Sequence, residues 1–423
     1  MKRALLGTTA LIGAGLGAAA PAAAESPIQL SVGGFFRTAY MVVLDDDDGS
    51  PERFNPEPGN EKAEDGVFSD AEIHFVGRTV LDNGLEVGAR VELEGEDDDS
   101  IDVVGGEVTD GGDQIDEAWI WFAGGFGEVR IGSDDEALAN SCILPPGGTA
   151  NFSAFSPNQW GANSLNELPF PAVSNSACTG VDDRGDAQKI IYFSPLLYGF
   201  QLSASYTPNP DSETHGDGVG AHTGMPAKIF GTFGDDDADA DSDASVYLTY
   251  SYQGRNWGLT WGGGASWEMG TDSSDFVNFK DQDFYQTGLN LDIGRFSIGG
   301  VFEYYNDINS FESITSDSGQ KLDAWVAGGG IAYNYRAWTF GAQYSYREDT
   351  FRVLSNFGDN TIEQVQQRAV ATVNYALGPG INLDGEVGYT WRDRDPGTLE
   401  GDVEETDDDY DGLEIGIGTA VSF

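Results

Sequence analysis

The sequence predicts an all-β fold, a transmembrane antiparallel β-barrel of sixteen strands with short turns at one end and long loops at the other. Three observations carry this expectation. Apolar and polar residues alternate at every second position over many stretches, connections alternate strictly between short and long, and aromatic residues gather near both strand ends on one face. Period-2 alternation marks strands that face two different solvents.

The chain begins as an address. Lys2 and Arg3 precede the apolar run LLGTTALIGAGLGAAA, and Ala22-Ala23-Ala24 supplies a small-residue cleavage site. This three-part pattern is that of a secretory signal peptide over 1–24, which leaves 25–423 as one barrel domain. A membrane-anchoring helix is the alternative, weakened by the shortness of the run and its Gly and Ala content. The 423 residues carry a formal net charge of −50, which excludes a basic surface for nucleic acid.

The strands follow in order. The first runs around Leu30 to Val43. Leu85, Val87, Ala89, Val91 and Leu93 alternate with Glu86, Gly88, Arg90, Glu92 and Glu94, and Phe200 to Thr207 repeats the pattern. Trp338 to Arg347 and Ile381 to Trp391 alternate likewise. In the last strand Leu413, Ile415, Ile417, Thr419, Val421 and Phe423 share one face, while Glu414, Gly416, Gly418, Ala420 and Ser422 share the other. A soluble sandwich gives the same alternation, so the connections decide.

Seven connections are short, such as Asp82-Asn83-Gly84, Gly124 to Gly127 and Leu377 to Gly380, with Gly or Asn where hairpins need positive φ. Eight are long, at 45–65, 95–113, 134–187, 208–243, 268–281, 306–321, 349–362 and 392–410. Fifteen connections give sixteen strands, an even number, with short turns periplasmic and long loops extracellular, as in bacterial outer-membrane barrels.

Aromatics bracket the outward faces. Phe200, Tyr252, Trp257, Phe296, Tyr335, Trp338, Tyr375 and Phe423 lie near the short turns; Tyr206, Trp267, Tyr304, Tyr346 and Trp391 lie near the long loops. Two such rings are what the two membrane interfaces select. An unpaired strand edge is prohibitive in lipid, so the last strand must pair with the first. A ring of sixteen strands is too wide for side chains to fill and encloses an aqueous channel.

The stretches NGLEVGARVELEG, DEAWIWFAGGFGEVRIGS and DDRGDAQKIIYFSPLLYGFQLSASY, with the terminal Phe423 on an alternating strand, resemble the general diffusion porins of Gram-negative bacteria, most of all the alphaproteobacterial type. The resemblance spans the mature chain and is closest from the second to the seventh strand and at the C-terminus. It implies a homotrimer in the outer membrane with the third loop folded into each pore. Lipid and lipopolysaccharide are then neighbours, and the outer-membrane assembly machinery reads Phe423. It also implies passive transport of small hydrophilic solutes and ions. A substrate-selective channel for sugars or anions is the alternative. The unusually acidic loops one, two, four and eight depart from the family and leave selectivity open.

Arg37, Arg78, Arg90 and Arg130 share lumen parity on the first, second, third and fifth strands. The third loop carries Asp134, Asp135, Glu136, Glu167, Asp182 and Asp183. In the family a basic wall facing an acidic third loop sets a transverse field at the constriction, which favours polar solutes. The alternative is that these are solvated lumen charges, or arginines paired with Glu72, Glu86 and Glu92. Cys142 and Cys178 both lie in the third loop. Export favours a disulfide between them, worth roughly 4 kcal/mol for a loop of that size; two free thiols are the alternative.

Loops one, two, four and eight hold 35 of the 71 acids against five bases. Asp407, Asp409, Asp411 and Gly412 match the first half of an EF-hand loop, but Gly418 stands where its bidentate Glu belongs. A solvated, salt-tolerant outer surface is therefore expected and no cofactor, with loose calcium or magnesium bridging to lipopolysaccharide as the alternative. No P-loop, G-x-S-x-G or H-E-x-x-H motif is present. Among His74, His215 and His222 only His74 has barrel parity, as a pore-wall residue, so no enzyme is expected.

Deleting Phe423, or replacing it with Asp, should leave the protein exported but poorly inserted. Heat-modifiable shifts on electrophoresis of outer-membrane fractions read this, and normal trimers from the deletion would contradict the role given to Phe423.

Overall fold

The computed structural model describes residues 27–45, 65–95, 103–104, 107–108, 115–155, 178, 187–208, 242–269, 277–307, 310–313, 319–354, 360–395 and 410–423. The expected signal segment and most of the acidic loops lie outside the described residues.

Sixteen long strands form one closed antiparallel ring, to which two three-residue strands, Val277–Phe279 and Phe311–Ser313, are added at the loop end. The first half of the ring comprises β1 (Gln29–Asp45), β2 (Asp65–Val80), β3 (Glu86–Glu94), β4 (Ile115–Gly124), β5 (Gly127–Ser133), β6 (Gln188–Phe193), β7 (Phe200–Thr207) and β8 (Ser242–Gln253). The second half comprises β9 (Trp257–Met269), β10 (Asp283–Ile293), β11 (Phe296–Asn306), β12 (Gly319–Tyr335), β13 (Trp338–Leu354), β14 (Asn360–Gly378), β15 (Ile381–Asp395) and β16 (Tyr410–Ser422). Each pairs with its neighbours in sequence. The ring closes where β1 also pairs with β16, from Phe35↔Ser422 to Asp45↔Gly412. Phe423 extends this seam, its N–H donating to the Gly34 carbonyl and its carbonyl accepting from Gly34, both at 3.1 Å.

The short turns fall where the sequence places them. Between β2 and β3 Gly84 takes a φ of +81°, and Asn83 Oδ1 accepts the Leu85 N–H at 3.0 Å. Strand length varies, ranging from 6 residues in β6 to 19 in β14. The excess lies toward the long loops, where β12 and β13 stay paired through the polar registers Lys321↔Arg352 and Asp323↔Thr350. A hydrocarbon core needs only about 9–11 tilted residues, so these ladders run on into water.

Parity is clean along β16. Ile415, Ile417, Val421 and Phe423 are exposed, as lipid-facing groups are in a lone chain, while Gly412, Glu414, Gly416, Gly418 and Ala420 are buried. What buries the inner face is the third loop. Its short helix α1 (Ala137–Ser141) sits against β7 and β8, with the Ala137 and Leu138 N–H groups donating to Ser205 and Ser245 hydroxyls at 3.0 and 3.2 Å. The chain then crosses the far wall. Gln286 and Asn290 of β10 donate to the carbonyls of Ile143 and Leu144, Gln343 of β13 to that of Pro145, and Thr372 of β14 to that of Gly147. Asn151 reaches Asp384 of β15 at 2.8 Å, and Arg37 of β1 donates to the Ala150 carbonyl at 2.9 Å.

Glycines make room for this strap. A side-chain carbon at Gly330 would overlap the Pro146 carbonyl, and one at Gly341 the Gly147 carbonyl. Gly147 itself has φ +112°, a left-handed conformation that other residues rarely adopt. Apolar side chains fill what remains. Leu138 packs with Tyr247, Phe284, Tyr305 and Val326, and Phe152 with Ala39 and Met41. Cys142 lies against the first cluster and Cys178 against Phe155 and Val301 of another. The two cysteines are bonded, their Cα atoms 5.9 Å apart.

Gly341→Leu should therefore lift the strap off the wall at a cost of about 1–3 kcal/mol while the barrel persists. Faster hydrogen exchange across 143–153 with an unchanged β-sheet spectrum is expected; unchanged exchange would contradict the packing. Non-reducing mass mapping should give a peptide linking Cys142 to Cys178, and complete alkylation of both in unreduced protein would refute the bridge.

Candidate functional site

Because the third loop lies on the wall from β6, where Ala137 packs with Ile191 and Phe193, round to β16 and ends against Ala39 and Met41 of β1, the wall of β2 to β5 is the part its described residues leave most open. Alternation sends Arg37, His74, Arg90, Trp119, Trp121 and Arg130 to the inner side, opposite Phe36, Phe75, Ile120 and Ile131, which are exposed outside.

Three of the four arginines have acid partners within the wall. Arg37 faces Asp70 across the β1–β2 ladder and donates to it from Nε at 2.6 Å. Arg90 contacts the Glu92 carboxylate on its own strand and lies 5.1 Å from the Trp119 ring centre. Arg130 donates to Glu128 at 2.7 Å and to Asp134 at 2.9 Å, between the rings of Trp119 and Phe193 at 5.3 and 4.7 Å. Arg78 stands apart. It is exposed, two residues from the end of β2, and its register Gln29↔Arg78 lies eight residues along the ladder from Arg37↔Asp70, roughly 27 Å of strand.

The acids at the base of the third loop do not form an opposing face. Asp134 is buried and bonded to Arg130 and to Asn140, the latter at 3.1 Å. Glu136 is buried too, and the Ser266 hydroxyl of β9 donates to it at 2.7 Å, which ties the start of α1 to the wall. Asp135 is exposed, and its N–H donates to Glu117 of β4 at 3.3 Å. Glu167, Asp182 and Asp183 lie outside the described residues. The expected pairing of arginines with Glu72, Glu86 and Glu92 holds for Arg90 and Glu92; Glu86 instead accepts from the Trp121 indole at 3.2 Å.

Two polar groups escaped sequence reading. Beneath the strap, Arg368 of β14 bridges Glu386 and Glu414 at 2.8 and 2.7 Å and donates to the Ser153 carbonyl at 3.1 Å, while Arg347 of β13 pairs with Asp349 at 2.8 Å. On the open wall His74 joins Glu72, Glu92 and Arg90. Its Nε2 lies 2.8 and 3.1 Å from the two carboxylates, and Arg90 Nη2 lies 3.1 Å from its Nδ1. The available signal was parity, which puts all these residues on the lumen side. Which acid meets which base depends on cross-strand register.

Comparison with known proteins gives the same architecture. A family model described as Gram-negative porin matches residues 7–395. An anion-selective porin from Comamonas acidovorans is similar in structure at 15% identity and a TM-score of 0.53, over 94% of this chain and 100% of that one. The outer-membrane channel DcaP of Acinetobacter baumannii is similar at 14% identity and a TM-score of 0.50, over 94% and 97%. A loop L8 deletion mutant of OmpT, an outer-membrane protein of Vibrio cholerae, has 13% identity and a TM-score of 0.50, over 93% and 99%. No curated protein matches the chain. The closed ring of sixteen strands, with its exposed apolar belt and polar interior, is an outer-membrane channel, and the chain belongs to the Gram-negative porin family.

Proposed function

We propose that this porin is a passive, water-filled channel for small hydrophilic solutes and ions, assembled as a homotrimer and cation-preferring in dilute salt. The observation that carries the selectivity is the pairing of the arginines. Arg37, Arg90 and Arg130 each touch a carboxylate, so the open wall presents dipoles rather than a run of positive charge. A dipole's field falls faster with distance than a bare charge's, and the wall then opposes cations only weakly. The outer loops carry the unbalanced charge, with 35 acids against five bases in loops one, two, four and eight.

Range decides which of the two governs. In dilute salt the Debye length is about 30 Å, so loop carboxylates act at the pore mouth; near 1 M it is about 3 Å, and only charges lining the wall count. The same loops form a solvated, salt-tolerant surface in this reading, with loose calcium or magnesium bridging to lipopolysaccharide as the alternative. The exposed Arg78 favours a second reading, an anion-selective channel, which is how the Comamonas porin is described. No enzymatic role is proposed.

Reversal potentials at a fixed salt ratio should show cation preference in dilute salt that weakens as salt rises. Neutralising the acids from Glu404 to Asp409 should lower the dilute-salt preference with little effect in concentrated salt. Anion preference in dilute salt would overturn the proposal. Asp70→Asn, which strips Arg37 of its carboxylate, should move selectivity toward anions even in concentrated salt, where the loops are screened.

A further inference from the structure

The group on β2 and β3 carries more than wall polarity. His74 and Glu92 face each other across the ladder, and Glu72 follows on the same side of β2 two residues away. One donor atom from each lies within 4.8 Å of the other two. Two of the edges, 2.8 and 3.1 Å, are close to the donor–donor edge of about 3.3 Å implied by zinc bonds of about 2.0–2.1 Å in a tetrahedron. Both strands are fixed in the ring, so the donors need no backbone movement to converge. His74 and Glu72 keep 19% and 22% of their side-chain surface, which leaves a fourth position open to the lumen for water.

The chemistry of the donors selects among cations. One imidazole with two carboxylates suits zinc, copper or nickel, whereas calcium and magnesium take six or more oxygen ligands. Two carboxylates also balance a divalent charge.

Arg90 defines the competing state. A guanidinium only donates, so in a neutral His74 ring Nδ1 would accept from Arg90; in either charge state a proton on Nε2 points between Glu72 and Glu92. That proton occupies the place of a metal ion. Coordination at Nε2 leaves the ring's proton on Nδ1, where it faces Arg90, so Arg90 must release the ring.

We propose that Glu72, His74 and Glu92 form a zinc-class divalent metal site on the channel wall, with Arg90 as its built-in competitor. The proposal rests on the wall being open to the aqueous lumen, as in the channel reading above. An occupied site adds positive charge beside the permeation path and should lower cation current.

The test uses purified full-length porin, stripped with chelator and held in excess magnesium so that the acidic loops are already filled. Zinc chloride is titrated by equilibrium dialysis, a readout that needs no conduction and so fails separately from the selectivity measurements. One saturable class of zinc is expected, weakened by His74→Ala by more than the roughly 10–100-fold that loss of an outer partner costs and tightened by Arg90→Ala, with an X-ray absorption spectrum of one imidazole and oxygen ligands. Glu72→Gln gives a second removal should the His74 variant fail to assemble, and it should weaken zinc in the same direction. Equal zinc affinity in wild type and these variants would overturn the site, as would the lack of any saturable binding in correctly folded porin. Tighter binding that does not follow loss of Arg90 would overturn its part as competitor.

Discussion

Backbone hydrogen bonding in hydrocarbon is the constraint on which the rest depends. Each unpaired N–H or carbonyl in a bilayer core costs several kcal/mol, so an open sheet edge cannot persist there. The β1–β16 seam removes the last edge, and Phe423 adds its own pair of bonds to Gly34. Closure then fixes parity around the whole ring, because a one-residue slip at any register would turn a strand's apolar face inward. Lipid outside and water inside are consequences of that ring.

Closure also creates a problem of space. A ring this wide leaves an interior that side chains of the wall do not fill. The third loop resolves it on one side by treating the inner wall as a surface to dock on. It uses glycines where its backbone runs against the wall, Gln and Asn side chains where its carbonyls need donors, and Leu138, Phe152 and Phe155 as apolar anchors. The Cys142–Cys178 bond ties two of these anchor regions together. Buried charge follows the same economy, since Arg368 is held by two carboxylates and by a carbonyl of the strap itself.

The open side is governed by neighbours rather than by composition. Arg37, Arg90 and Arg130 share lumen parity, and parity alone suggests a positive wall. Their cross-strand and same-strand partners Asp70, Glu92, Glu128 and Asp134 turn that wall into a set of ion pairs. Under the proposed function, the acid surplus in the sequence of the outer loops would make selectivity a function of ionic strength.

The sequence by itself determined the strand number, the alternation of short and long connections, the outward aromatic rings and the lumen parity of each arginine. All of these follow from period-2 alternation and turn residues, which are local properties of the backbone. It also placed both cysteines in one loop. It left undecided that Arg78 lies near the short-turn end away from Arg37, that Asp134 pairs with Arg130 rather than standing across the pore, and that Glu136 is an anchor. Nor did it bring His74 together with Glu72, Glu92 and Arg90. Those facts depend on cross-strand register and on where the third loop docks, and only the closed ring sets which residues from distant segments meet.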